Sequence, residues 1–105
     1  MNIIWANEAF KAWCEASDYI YHNFGFNAAE RFQKNTEEWQ DALAQSPHIG
    51  KVEPLLMNRA HIYRSIVISR LNKLIYYIES DTIIIADFWD TRREPKELAG
   101  KIAVL

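Results

Sequence analysis

The sequence contains one cysteine and no long apolar segment. Cys14 has no partner for an internal disulfide, and no group of cysteine and histidine residues has the spacing of a zinc site. The longest uninterrupted apolar run has five residues, Leu74 to Ile78, whereas a membrane-spanning helix needs about 20. The first ten residues lack the basic start and apolar stretch of a signal peptide. We therefore expect a cytoplasmic protein with no metal, no cofactor and no membrane segment.

The composition that is present favours one globular domain. Half of the 105 residues are hydrophobic and 13% are aromatic, which is enough for a packed core and too much for a disordered chain. The length fits a single domain over residues 1–105, since domains most often have about 100–150 residues. No internal repeat or low-complexity stretch interrupts the sequence.

Charge is distributed unevenly along the chain, although the net charge at pH 7 is only −2. Residues 1–56 contain four Lys/Arg and eight Asp/Glu, whereas residues 57–105 contain eight Lys/Arg and six Asp/Glu. From residue 57 to residue 75 there are four basic side chains, one histidine and no acid. This separation favours an anionic partner for the second half, and chance clustering of solvated charges explains it equally well.

The first half has the periodicity of amphipathic helices. After a short predicted strand, NIIW, apolar residues at steps of three and four predict a helix from about Asn7 to Asn23, which Gly25 ends. A second stripe predicts another helix, with Asn27 as its N-cap and Glu30 completing a capping box. So short a link makes the two helices antiparallel neighbours, with their aromatic side chains mainly in the core.

The second half has the alternating, β-branched patterns of strands. Proline and glycine predict an irregular loop over residues 46–58, and three strands with short turns follow it. The predicted strands are AHIYRSIVIS, KLIYYIES and TIIIADFWD. Side-chain alternation places Arg64 on the same face as Ile62, Ile66 and Ile68. Helices followed by an antiparallel meander predict an α+β fold with helices on one face of the sheet and the other face partly open.

Two adjacent arginines, Arg92 and Arg93, follow the last predicted strand. Charges at the end of a strand are usually only solvated. Alternatively, the pair is a site for a partner that carries phosphate or carboxylate. One arginine of the pair is also a candidate to bridge to a neighbouring carboxylate and hold the turn.

These elements and residues resemble the RelE/ParE superfamily of bacterial toxins from type II toxin–antitoxin pairs, nearer its ParE-like, plasmid-stabilisation branch. The resemblance covers nearly the whole chain and rests on three stretches in the family's order. They are the strand leading into WANEAF, the stretch ALAQSPHIGKVEPLL, and the three-strand segment that ends in arginines. The resemblance implies a short N-terminal strand, a two-helix hairpin and a three-stranded antiparallel meander packed on the helices.

The resemblance implies one of two activities. RelE-like members cut messenger RNA on the ribosome, whereas ParE-like members block DNA gyrase and are not enzymes. In both branches an antitoxin segment wraps the helices and sheet of the toxin and silences it. The implied partners are therefore a cognate antitoxin and, as the target, either DNA gyrase or the ribosome with its messenger RNA.

The resemblance also implies candidate site residues. Arg64 matches a basic strand position of the nuclease branch, Lys73 matches an arginine on the next strand, and Arg92 or Arg93 matches an arginine after the last strand. The resemblance makes these four the candidate target-binding or anion-binding residues, with Arg64 and Lys73 near the arginine pair on the open face of the sheet, and in a nuclease they would be catalytic. Because arginine is a poor proton shuttle, His61 is the candidate acid or base, with other donors available from Tyr63, Tyr76 and Tyr77.

Two positions depart from the nuclease branch. Ile66 stands at the second basic position of its strand, and Leu98 stands near the place of the C-terminal tyrosine. Loss of one general acid slows such a reaction by about 10²–10⁴-fold. A slightly acidic protein also suits a protein target better than ribosomal RNA, where phosphate neutralisation dominates affinity. We therefore predict a ParE-like toxin, with a RelE-like ribosome-dependent mRNA endoribonuclease as the alternative and a non-toxic α+β interaction module as the second alternative.

Overall fold

The computed structural model describes residues 1–69 and 72–91, and within them two helices pack on one face of a five-stranded sheet. In chain order the elements are β1 (Asn2–Trp5), α1 (Asn7–Phe24), α2 (Phe26–Gln45), β2 (Lys51–Val52), a 3-10 turn (Pro54–Leu56), β3 (Arg64–Val67), β4 (Asn72–Glu79) and β5 (Thr82–Asp90). The predicted α+β fold, with the helices before the meander, is confirmed.

The sheet has the strand order β1-β5-β4-β3-β2. Strand β1 runs parallel to β5, and the other neighbouring strands are antiparallel. The turn at Ser80-Asp81 is tight, with Ser80 at φ 57, and it makes β4 and β5 antiparallel neighbours. The predicted meander is therefore extended on one side by β1 and on the other by β2.

The segment 46–58, predicted to be irregular, contains a strand and a 3-10 turn. Strand β2 pairs with β3, where Lys51 lies opposite Ser65 and Val52 lies opposite Arg64. Two residues are too few to show an alternating pattern, so this strand forms only because β3 offers it a partner. The prediction of an irregular loop is thus wrong for Lys51–Val52 and Pro54–Leu56.

A single residue, Gly25, separates the two helices. Its φ of 91 favours glycine, and its N–H donates to the Tyr21 carbonyl at 2.9 Å, so it ends α1 as predicted. The next helix begins at once at Phe26 without a side-chain cap, and the prediction of Asn27 as N-cap is wrong. Once Gly25 has reversed the chain, no further linker residue is needed, and Asn27 lies within the first turn of α2.

The main core lies between the helices and the sheet. Ala9 of α1 and Leu43 of α2 contact a set of buried sheet side chains, which are Leu74, Tyr76, Ile83, Ile85 and Phe88. Trp13 and Trp39 pack against this core as predicted, and both are partly buried. Burial of each large apolar side chain contributes about 1.5–3 kcal/mol, and this holds the hairpin on the sheet.

The opposite face of the sheet is covered by the segment 53–63 between β2 and β3. Leu56 and Tyr63 pack there with sheet residues that are almost inaccessible to solvent, namely Ile75, Ala86 and Trp89. The segment folds back because its apolar side chains gain free energy by burial on the sheet. The face expected to be partly open is therefore covered in this part, whereas Val67 of β3 on the same face is 69% exposed.

Within residues 1–69 and 72–91, neither helix combines the length and apolarity that crossing a membrane requires.

Candidate functional site

The two candidate cations in the described part of the meander, Arg64 and Lys73, lie on opposite faces of the sheet. Arg64 pairs with Tyr76 across the β3–β4 ladder, whereas Lys73 pairs with Val67. Directly opposed residues share a face, and successive residues alternate. Because Tyr76 belongs to the core beneath the helices, Arg64 is on the helix side and Lys73 is on the other. The expectation that they share one open face is wrong.

Arg64 helps to hold the chain where it enters β2. Its Nη1 donates to the Gly50 carbonyl at 2.8 Å, the Gly50 N–H donates to Tyr76 Oη at 2.9 Å, and Tyr76 Oη donates to the Pro47 carbonyl at 2.8 Å. Burial raises the pKa of Tyr76 above its ordinary value, although the Gly50 N–H and the charge on Arg64 act in the opposite direction. We call Pro47, Gly50, Arg64 and Tyr76 the Gly50 junction.

Lys73 forms an ion pair with a carboxylate on the far face of the sheet. Its Nζ lies 2.9 Å from Glu53 Oε1, with the Glu53 side chain 1% exposed and the Lys73 side chain 18% exposed. Burial by itself would raise the pKa of Glu53. Hydrogen bonds from Ser65 and Lys73, the charge on Lys73 and a backbone bond from Leu55 outweigh burial, and the pKa lies below its ordinary 4.5. Glu53 is thus ionised at neutral pH.

Sequence reasoning missed Glu53. It lies in the stretch predicted to be an irregular loop, where a carboxylate is normally solvated. The one available signal was its position between Val52 and Pro54-Leu55-Leu56, an isolated acid in an otherwise apolar stretch.

His61 is held against aromatic rings on the same face as Lys73. Its ring stacks on Tyr77 with the centroids 4.0 Å apart and an interplanar angle of 17°, and Tyr63 meets both rings nearly edge-on. Burial raises the pKa of both Tyr63 and Tyr77, so the two phenols stay protonated at neutral pH. His61 therefore packs against the rings of Tyr63 and Tyr77, and its role as an acid or base stays a prediction.

The other candidate cations, Arg92 and Arg93, and the position of Leu98 lie outside the described residues. Their assignment as target-binding or anion-binding residues stays a prediction. No group of histidine, cysteine and carboxylate side chains in residues 1–69 and 72–91 has an arrangement that could hold a metal ion.

A pocket of about 170 Å³ opens between β1 and the two helices. Its walls include the aromatic residues Trp5, Phe10 and Trp13, together with Gln33, Glu37 and Gln40 of α2. The tryptophan side chains are fixed by hydrogen bonds, from Trp5 Nε1 to Gln40 Oε1 at 2.9 Å and from Trp13 Nε1 to Thr36 Oγ1 at 2.8 Å. Sequence reasoning assigned the helix aromatics to the core and did not find this pocket.

Residues 3–95 match the family model described as the ParE toxin of the type II toxin–antitoxin system, parDE. A chain from the chromosomal ParDE toxin–antitoxin system of P. aeruginosa superposes with a TM-score of 0.68 at 16% identity, covering 86% of this chain and 95% of that one. The YoeB dimer from Staphylococcus aureus superposes with a TM-score of 0.56 at 25% identity, covering 84% and 93%. The YoeB–YefM toxin–antitoxin heterotetramer from that organism gives 0.54 at 25% identity, with the same coverage. No curated protein matches the sequence.

The family match spans most of the chain, and the likeness to the ParDE structure confirms the fold of helix pair and sheet. The resemblance noted from the sequence is thereby confirmed. This chain belongs to the ParE toxin family of type II toxin–antitoxin systems, within the RelE/ParE superfamily.

Proposed function

We propose that this chain is a ParE-like toxin that arrests growth by binding a macromolecular target, with DNA gyrase as the candidate, without cutting RNA. The separation of Arg64 from Lys73 carries the proposal, because the two lie on opposite faces of the sheet and each contacts protein atoms. Metal-free RNA cleavage needs several groups to converge on one phosphate. Binding a protein target needs only an exposed surface with suitable charges.

A cognate antitoxin is the second proposed partner. The family match and the toxin–antitoxin complexes among the similar structures support this proposal. The helix pair also has large apolar side chains that are more than half exposed, which are Phe10, Tyr19, Tyr21, Phe24 and Phe26. A segment that folds on binding is well suited to cover such a surface.

The alternative is a RelE-like, ribosome-dependent mRNA endoribonuclease, and one observation favours it. Glu53 is an ionised carboxylate beside a cation, on the face that carries His61, and a carboxylate can serve as a general base toward a 2′-hydroxyl. The same residue also weakens this alternative. With 1% of its side chain exposed, Glu53 cannot reach a substrate unless the segment 53–63 moves away from the sheet.

Titrated expression in a bacterial host tests the proposal. We expect growth arrest within minutes, intact transcript 5′ ends, failed plasmid supercoiling, and rescue by co-expression of the neighbouring gene. Codon-phased cuts in transcripts would overturn the proposal in favour of the nuclease. Normal growth at high expression would overturn both and leave the non-toxic interaction module.

The double variant Arg92→Ala with Arg93→Ala is expected to reduce toxicity without unfolding the protein. Each arginine is proposed to make a charge-assisted contact with the target, and loss of one such contact weakens binding by about tenfold or more. The inducer concentration needed for arrest measures the effect. Lys11→Ala with Lys34→Ala is the control, since it removes two charges from the helices; a similar loss of toxicity in this control would contradict a specific role for the arginines.

Arg64→Ala is expected to reduce toxicity and to lower the free energy of unfolding by about 1–2 kcal/mol. The Gly50 carbonyl loses its charged donor in this variant, which is enough to weaken the Gly50 junction but not to unfold the domain. Circular-dichroism melts and urea titrations measure the stability. An unfolded Arg64→Ala variant would remove any inference about its target-binding role.

A further inference from the structure

Three aromatic rings line the pocket between β1 and the helix pair. The ring centroids of Trp5, Phe10 and Trp13 lie 6.2–6.4 Å from one another. The Trp5 ring is inclined by 81° to Phe10 and by 70° to Trp13, whereas Phe10 and Trp13 are inclined by only 13°. Phe10 and Trp13 are thus nearly parallel, Trp5 is inclined steeply to both, and all three rings line the pocket.

The donors of the two tryptophans are not available to a ligand in this space, and the Trp13 ring already stacks on Phe10 and on Phe32. Both indole N–H groups are already used within the protein, by Gln40 and by Thr36. The face of an aromatic ring is electron-rich and attracts cations. Phe10 is 54% exposed, so the pocket is accessible from solvent. A ligand there would cover apolar surface that is exposed to water in the free protein.

A carboxylate completes the pocket. Gln33, Glu37 and Gln40 lie at steps of four and three on one side of α2, and all three line the space beside the rings. Among the described residues Glu37 forms no ion pair, whereas Glu30 on the same helix pairs with Lys34 at 3.6 Å. The pocket therefore combines aromatic rings with an exposed carboxylate that forms no ion pair within residues 1–69 and 72–91, and this combination is complementary to an organic cation.

A guanidinium group fits this set of partners better than an ammonium or a neutral group. It is planar and weakly hydrated, stacks on aromatic faces, and donates two parallel N–H groups to one carboxylate. A neutral apolar group would cover Glu37 without replacing its lost hydration. The volume of about 170 Å³ suits the head of a side chain, since pockets for drug-sized ligands are about 300–1,000 Å³.

We propose that this pocket binds the guanidinium group of an arginine side chain that a partner polypeptide presents. The exposed Phe10 ring and the Trp5 ring contact the flat group, and Glu37 neutralises it. The identification of that polypeptide as the antitoxin rests on the proposed function, whereas the preference of the pocket for a guanidinium group does not.

Titration of the full-length protein with N-acetyl-arginine amide tests this assignment. The four tryptophans each give an indole N–H signal in NMR spectra. We expect saturable shifts of the Trp5 and Trp13 signals, and no comparable shift for Trp89, which lies on the other face of the sheet. N-acetyl-citrulline amide has nearly the same shape without the charge, and we expect it to bind at least about threefold more weakly.

Two substitutions locate the site. Glu37→Gln and Phe10→Ala are each expected to weaken binding of N-acetyl-arginine amide by about threefold or more, since one removes the charge and the other removes an aromatic face. Glu38→Gln is the matched control and should leave the affinity unchanged, because its exposed side chain does not line the pocket. Equal affinity for the citrulline compound, or unchanged affinity in Glu37→Gln, would overturn the assignment.

The NMR titration with N-acetyl-arginine amide tests the pocket whether or not the protein arrests growth. Guanidinium binding by a protein that causes no growth arrest would support the pocket and overturn the proposed toxin function. Growth arrest by a protein whose Trp5 and Trp13 signals do not respond would overturn the pocket and support the toxin function.

Discussion

The substitution Gly50→Ala is expected to lower the free energy of unfolding by about 2–4 kcal/mol. A Cβ atom at this position would lie 2.7 Å from Tyr76 Oη, 2.8 Å from Tyr76 Cε1 and 2.9 Å from the Ser65 carbonyl oxygen. Tyr76 is completely buried, and the Ser65 carbonyl belongs to the backbone of β3, so neither neighbour can move aside easily. The added Cβ atom therefore has to displace the chain segment that enters β2, and this displacement lowers the free energy of unfolding.

Such a displacement also breaks hydrogen bonds of the Gly50 junction. Gly50 donates to Tyr76 Oη and accepts from Arg64 Nη1, and both bonds need the present position of the backbone. Urea titration gives the free energy of unfolding of the variant. Lys51→Ala, which truncates the exposed neighbouring side chain, is the control and should stay within about 0.5 kcal/mol of the original protein.

Tyr76→Phe provides a second check on the same junction. Without the hydroxyl group, one of the close contacts of the added Cβ disappears, and the added cost of Gly50→Ala should be smaller in this background than in the original protein. Full additivity of the two substitutions would contradict the proposed contact. A Gly50→Ala protein as stable as the original would contradict the steric argument altogether.

The substitution Lys73→Met is expected to cost about 2–4 kcal/mol at neutral pH. Methionine keeps much of the packing of the lysine stem but removes the charge that neutralises Glu53. A buried carboxylate without its partner is destabilising because its lost hydration is no longer offset. Urea titration at pH 7 measures the loss.

The pH dependence of this loss has a defined sign. In the original protein the folded pKa of Glu53 lies below 4.5, so its stabilising contribution is present above that pH and is lost as the pH falls through the folded pKa. In Lys73→Met the effect of burial should prevail and raise the folded pKa of Glu53. The difference in stability between the two proteins should therefore shrink as the pH falls from 7 toward about 4.

A matched variant separates charge from packing. Glu53→Gln removes the carboxylate charge, and adding it to Lys73→Met should recover part of the lost stability, since the double variant has no unpaired buried charge. If the loss of unfolding free energy in the double variant equals the sum of the losses in the two single variants, the loss comes from packing. A stability difference that grows in acid would contradict the role of Glu53.

The elements that the sequence predicted well are those set by local periodicity. The apolar stripe of α1, the stop at Gly25 and the turn at Ser80-Asp81 each depend on a few neighbouring residues, and each occurs where the pattern places it. Alternation also placed Arg64 correctly with Ile66 and Ile68, which pack toward the helices, whereas Ile62 lies before β3 and is 71% exposed. The family resemblance added the order of the elements.

The candidate site was less predictable, because its residues meet only through pairing of distant segments. Strand β2 exists because β3 lies beside it, and the register of β3 with β4 puts Lys73 on the face opposite Arg64. Glu53 becomes a buried charge only when the segment 53–63 folds across the sheet.

The sequence by itself therefore determined the class of fold, the helix pair and the meander, since backbone geometry converts spacing directly into helices and strands. Only the tertiary structure decided which charges are neutralised inside the described part of the protein. Lys73 pairs with Glu53, while Glu37 lines the pocket between β1 and the helices without an ion pair among the described residues. The physical reason is that neutralisation requires contact over a few ångströms, and contacts between distant segments are set by packing and register.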